Sequence, residues 1–139
     1  MLKLKNLQEG DYVLAEFEGE KLEGVVRELH RDDDDSVLIE TVKQAYWYTP
    51  EHLSPIPLDE AQLMKLGFEK QENDDQSVKY LRGPFRVYLP VKGDFSHIEI
   101  WYREDHRILS QPISVNELQH HFSQMTKIPL TRPEKIGEE

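Results

Sequence analysis

The segment "GPFRVYLPVKGDFSHIEIWYRED", residues 83–105, alternates apolar and polar side chains on both sides of a Gly-Asp pair. Alternation of this kind specifies strands with one buried and one solvated face. A two-residue turn at Gly93-Asp94 pairs Leu89 with Ile98, Val87 with Ile100 and Phe85 with Tyr102. The opposite face then pairs Tyr88 with Glu99 and Arg86 with Trp101, and sets Pro90 beside His97. "SVKYL" (77–81) and "RIL" (107–109) extend the sheet on either side. An apolar sheet face needs a cover, and "PISVNELQHHFSQMT" (112–126) supplies one. Ser114 is an N-cap with Glu117 in capping-box position, and Ile113 and Leu118 form a hydrophobic staple. Val115, Leu118, Phe122 and Met125 then make one apolar stripe at helical spacing, predicted to lie over Phe85, Val87 and Leu89.

A second helix is written just as explicitly in "PIPLDEAQLMKLGF", residues 55–68. Asp59 is the N-cap, Gln62 stands at N3, and Leu58 and Leu63 are the staple. Gly67 suits a left-handed C′ position, and Phe68 folds back on Leu63. A helix of about two turns does not survive alone, so docking of Leu63 and Leu66 must hold it. Pro55 and Pro57 keep the entering chain extended.

The first 56 residues read as five short strands. Val13, Ala15 and Phe17 alternate before a turn, and Leu22, Gly24 and Val26 after it. A turn at Gly19-Glu20 pairs Phe17 with Leu22, Ala15 with Gly24 and Val13 with Val26. "SVLIETV" (36–42), "QAYWYT" (44–49) and an edge strand "HLSPI" (52–56) follow. The fold class is therefore α+β. A small SH3-like β-barrel (1–56) precedes a linking helix, antiparallel sheet and C-terminal helix (57–130), and a flexible tail (131–139) follows.

Charge and motifs exclude more than they assign. Residues 1–56 carry 13 acidic and 6 basic side chains, and the whole chain has a formal net charge of −10. A protein reading a phosphate backbone normally shows a basic stripe, so nucleic acid is disfavoured as a partner. The absence of cysteine removes disulfides, zinc–thiolate sites and thiol nucleophiles. No apolar run reaches membrane-span length, and the start lacks a signal-peptide block; a cytoplasmic protein is expected. Asp32–Asp35 are contiguous, without the spacing and turn glycine of a calcium loop, and read as a solvated acidic loop. His120 and His121 are adjacent on a helix and point about 100° apart, which is poor geometry for one ion. No cofactor is expected. Serine elbow, P-loop and dinucleotide signatures are all missing, so a non-enzymatic protein is expected.

Three segments resemble a loose group of small, uncharacterised proteins from Bacteroidetes bacteria and their mobile elements. They are "LQEGDYV" (7–13), "PIPLDEAQLMKLGF" (55–68) and "ELQHHFSQMT" (117–126). The group's counterparts are "LRIGNYV"-like, "PIPLTEEWLLKFGF"-like and "LQNLYFALTG"-like, so the similarity spans most of the chain. This sequence has Ala61 and Gln62 where the group often has an aromatic residue after the paired acids. The resemblance implies a shared architecture and brings no activity or site residues with it.

Two surface strips remain as candidates. Tyr46 and Tyr48 flank Trp47 in "QAYWYTP". If Trp47 is in the core, both tyrosines face outward near the acidic loop, on a surface suited to a peptide. On the second sheet, Arg86, Tyr88, His97, Trp101 and Arg103 share the composition of interface hot spots. The expected partner is a protein or peptide. The alternative is a nucleic-acid-associated regulator using the Arg86–Arg103 sheet face.

Overall fold

The computed structural model describes residues 2–31 and 35–133. Over these residues the protein is α+β, with two five-stranded antiparallel sheets and two α-helices. It divides into two units, Met1–Ile56 with Ser114–Glu117, and Pro57–Ile113 with Leu118–Glu139.

In the first unit a 3-10 turn at Leu4–Asn6 leads into strands β1 (Tyr12–Phe17), β2 (Glu20–His30), β3 (Ser36–Glu40), β4 (Ala45–Tyr48) and β5 (Leu53–Ser54). Their order is β4-β3-β2-β1-β5. Among the described residues β4 and β5 are not paired with each other, so the sheet is open. Leu7, Val13, Val26, Val37, Ile39 and Leu53 are its buried centre. Asp32–Asp34 of the acidic loop lie outside the described residues.

The β1–β2 register differs from expectation by two residues. Val13 faces Gly24, Ala15 faces Leu22, and Phe17 faces Glu20. The turn is Glu18-Gly19, with both residues at positive φ. A two-residue turn of this hand needs left-handed backbone at both central positions, and glycine in second place supplies one without strain. A shift of two preserves the inward face, so Val13, Ala15 and Val26 stay in the core while Phe17 falls outside it. Gly24 passes close beneath β3, where a Cβ would collide with the Ile39 side chain. Just beyond it, the ladder jumps between Val26 and Glu28, leaving Arg27 as the extra residue of a bulge.

The second unit contains α1 (Glu60–Lys65), β6 (Glu69–Glu72), β7 (Val78–Arg82), β8 (Phe85–Leu89), β9 (Ile98–Tyr102), β10 (Asp105–Leu109) and most of α2 (Val115–Thr126). The sheet order is β10-β9-β8-β7-β6. Phe85–Tyr102, Arg86–Trp101, Val87–Ile100 and Tyr88–Glu99 pair as the alternation requires. The connection is nonetheless longer than Gly93-Asp94. Leu89 and Ile98 pair with other strands, and residues 90–97 form the loop. Asp94 N–H donates to Val91 O within it, and the Asp94 carboxylate accepts from Ser96. Strand β6 has no apolar alternation and was not legible; it forms by pairing with β7.

Both helices carry the expected termini. The Asp59 carboxylate accepts from Gln62 N–H at 2.9 Å. Gly67 (φ +86) and Phe68 donate their N–H groups to Met64 O and Leu63 O, a Schellman closure. Leu63 and Leu66 are fully buried, a burial of about 2–3 kcal/mol each. At α2, Ser114 N–H donates to Glu117 Oε1 at 2.8 Å and Glu117 N–H to Ser114 Oγ at 3.4 Å, a reciprocal box. Phe122 meets Phe85 at 4.6 Å between ring centroids. Residues 131–133 are held at several points. Arg82 donates to Leu66 O and Thr131 O, Arg132 donates to Gln62 Oε1, and Leu130 is buried. Residues 134–139 of the expected tail lie outside the described residues.

Tyr80, almost wholly buried, donates its hydroxyl to Glu60 Oε1 at 2.7 Å and ties the sheet to α1. Burial first, and the Glu60 hydrogen bond second, push its phenol far above the ordinary tyrosine value. The neutral form is the folded one, so its stabilisation is complete below about pH 10 and is lost as pH rises beyond that. Denaturant titrations across pH 9–12 will show a steeper loss of stability in the wild type than in Tyr80→Phe. Gly24→Ala will cost about 1–3 kcal/mol by the same measurement, because β3 must yield to the new methyl group.

Candidate functional site

Two concave surfaces, one on each unit, gather the chemistry-bearing side chains. On the first, Val37 lies opposite Tyr48 and Ile39 opposite Tyr46. Directly opposed residues share a face, and Val37 and Ile39 are fully buried. Tyr46 and Tyr48 therefore point to the core side and Trp47 to the outside, the reverse of the expected arrangement. Trp47 is 46% exposed and rests on His30, with ring centroids 4.5 Å apart. The alternation in "QAYWYTP" was real, but it gave no sign of which face the neighbouring strand buries.

Because β4 is an edge strand, its tyrosines overhang the core rather than fill it. Tyr48 packs against the core residues. Burial, then the neighbouring Tyr46, raises the Tyr48 phenol above its ordinary value. Phe17, also at a strand end, is exposed and lies 5.2 Å from Tyr46 between centroids. Tyr46 and Tyr48 meet edge to face at 6.3 Å. The three rings line a groove of about 760 Å³ whose rim carries Glu16, Glu18 and His52. Glu18 holds a left-handed backbone, φ +54, at the turn. Phe17 was expected inside; the two-residue register shift carries it past the end of the core.

On the second surface, cross-strand pairing lines up Leu81, Arg86, Trp101 and His106 in one row, and Lys79, Tyr88 and Glu99 in the next. These residues alternate with the buried Tyr80, Val87 and Ile100. Arg86, Tyr88, Trp101 and Arg103 thus come together as expected, lining a pocket of about 490 Å³ with Lys79 and Glu99. His97 does not join them. It ends the 90–97 loop, is exposed, and has Nδ1 3.2 Å from Ser96 Oγ. His106, which was not among the expected residues, stacks on the Trp101 ring at 3.5 Å and 14°. Arg86 Cζ stands 5.7 Å from the Trp101 centroid. Lys79 and His106 were readable only through the register of β7 and β10, which the short runs "SVKYL" and "RIL" did not specify.

The acids of this pocket are engaged. Glu99 Oε1 lies 3.2 Å from His106 Nε2. Asp75 accepts from the Ser77 hydroxyl at 2.6 Å and its amide at 3.2 Å, bonds that hold the carboxyl below the usual range. His121 Nδ1 accepts from Arg107. No cluster of three or more His, Asp or Glu suited to a metal occurs among the described residues. Nor, among them, is any helix long and apolar enough to cross a membrane.

Comparison with protein-family models, with curated proteins and with solved structures finds no match.

The two tryptophans differ in cover, which acrylamide quenching resolves. In single-tryptophan variants made by Trp47→Phe and Trp101→Phe, Trp47 will quench more steeply than Trp101. His106→Ala will raise the Trp101 quenching constant by uncovering one ring face.

Proposed function

We propose that this protein is a non-enzymatic interaction module that takes an extended, proline-rich peptide with basic residues into the Phe17–Tyr46–Tyr48 groove. One observation carries the reading: three adjacent aromatic rings form the wall of a groove whose rim holds two carboxylates, Glu16 and Glu18. Aromatic ridges of this kind accept polyproline segments, whose preformed backbone loses little entropy on docking. Rim carboxylates add electrostatic selection for Arg or Lys beside the prolines. A small SH3-like barrel is part of the same proposal. It is supported by the strand order β4-β3-β2-β1-β5, in which the fifth strand returns to the first after a 3-10 turn at Pro50–His52. A cytoplasmic setting belongs to it too.

The nucleic-acid reading of the Arg86–Arg103 face is less well supported. Stacking platforms need open aromatic faces, whereas Trp101 is stacked by His106 and approached by Arg86. The net charge of −10 also opposes a polyanion.

Fluorescence polarisation with a labelled proline-rich peptide carrying two arginines tests the proposal. Saturable binding is expected, weakened by about fivefold or more in Tyr46→Ala, the scale of a truncated hot spot. Glu18→Gln will weaken it by about two- to fivefold at low salt, as loss of an exposed ion pair does. Binding that is absent at millimolar protein, or unchanged in Tyr46→Ala, rejects the groove as a peptide site.

A further inference from the structure

The outer face of the second sheet gathers Arg86, Lys79 and Arg103 beside the carboxylates of Glu99 and Asp75. Arg86 Nε is buried and has no hydrogen-bond partner. Its guanidinium stands over the Trp101 ring. In a chain with 27 acidic residues, a buried Nε left this way is an unmet donor on a group whose chemistry suits an oxyanion. Lys79 and Arg103 line the same pocket from the neighbouring strand and from the β9–β10 turn.

Arg103 adds an independent observation. It sits at φ +56 in the two-residue turn between Tyr102 and Asp105. The equivalent position of the β7–β8 turn is Gly83, at φ +59. Glycine adopts that backbone freely, whereas an arginine there is strained. Strain kept where a glycine would relieve it is a mark of a functional position.

We propose that this pocket is a binding site for a small hydroxylated phosphomonoester of the sugar-phosphate class, with the phosphate held by Arg86, Lys79 and Arg103. Glu99 and Asp75, already on the walls, accept hydrogen bonds from the ligand's hydroxyl groups. A volume of about 490 Å³ suits one small molecule. The covered faces of Trp101 leave no platform for a run of bases. The site is separate from the aromatic groove and stands or falls without it.

Trp101 reports on the site, because an anion that draws Arg86 away from the indole changes its emission. Trp47→Phe leaves Trp101 as the sole tryptophan. In that background, ribose 5-phosphate is titrated against ribose, inorganic phosphate and sodium chloride at matched ionic strength. The expected result is a saturable change with ribose 5-phosphate, a weaker one with inorganic phosphate, and none with ribose or chloride. Arg86→Gln will weaken binding at least tenfold, and Arg86→Lys will restore only part of it, since a point charge lacks the fork. Arg103→Gly will raise the melting temperature while lowering affinity, a combination that a purely structural arginine would not give. If Arg86→Gln fails to fold by far-ultraviolet circular dichroism, Lys79→Gln and Arg103→Gly carry the same test. A response that follows ionic strength alone, or that persists in Arg86→Gln, overturns the proposal. So does an unchanged affinity in Arg103→Gly, or an affinity for single-stranded oligonucleotides that climbs with their length.

Discussion

The pairing of β8 with β9 is the constraint on which the second unit depends. With Phe85 opposite Tyr102 and Val87 opposite Ile100, every aliphatic side chain of the two strands falls on one face together with Phe85. A slip by one residue would turn one strand over relative to the other, burying Arg86 and exposing Val87, or burying Trp101 and Glu99 and exposing Ile100. Desolvating an arginine without a partner is far costlier than losing one hydrogen bond, so the alternation selects a single register. That register gives α2 its seat, with Phe122 against Phe85. It also fixes, on the far side, the row that brings Arg86, Trp101 and His106 together. Core and candidate site are two faces of one alignment.

The short helix α1 is stable for a related reason: its ends are closed and its apolar residues have somewhere to go. Leu63 serves both caps, as N4 of the staple and as acceptor of the Phe68 N–H. Arg82 then reaches from the sheet to Leu66 O at the helix end and to Thr131 O beyond α2. One guanidinium thereby satisfies carbonyls from two segments. Tyr80 does the equivalent at the other end through Glu60.

Each unit places a charged residue in left-handed backbone at the mouth of its concave surface, Glu18 in one and Arg103 in the other. Their signs are opposite. The first surface is aromatic with an acidic rim, and the second is cationic with acids already bound. The two proposed sites would therefore select ligands of opposite charge.

Local chemistry was legible wherever the deciding contacts lie within a few residues. The caps at Asp59, Ser114 and Gly67 were readable because donors and acceptors three to five positions apart meet in any helix. The one-sided strands 85–89 and 98–102 were readable because alternation has a single period. Turn geometry was less so: Glu18-Gly19 replaced Gly19-Glu20, and the 90–97 loop replaced a two-residue turn, because a glycine permits several turn types. Trp47 faced outward because β3, not its own segment, decides which side of β4 is buried. Strand β6 formed from polar residues because β7 offered it hydrogen bonds. The sequence by itself determined the helix ends, the apolar faces and the α+β class. Only the tertiary structure decided which side chains share a pocket, since side chains distant in the chain meet through strand pairing, and pairing is a property of two segments at once.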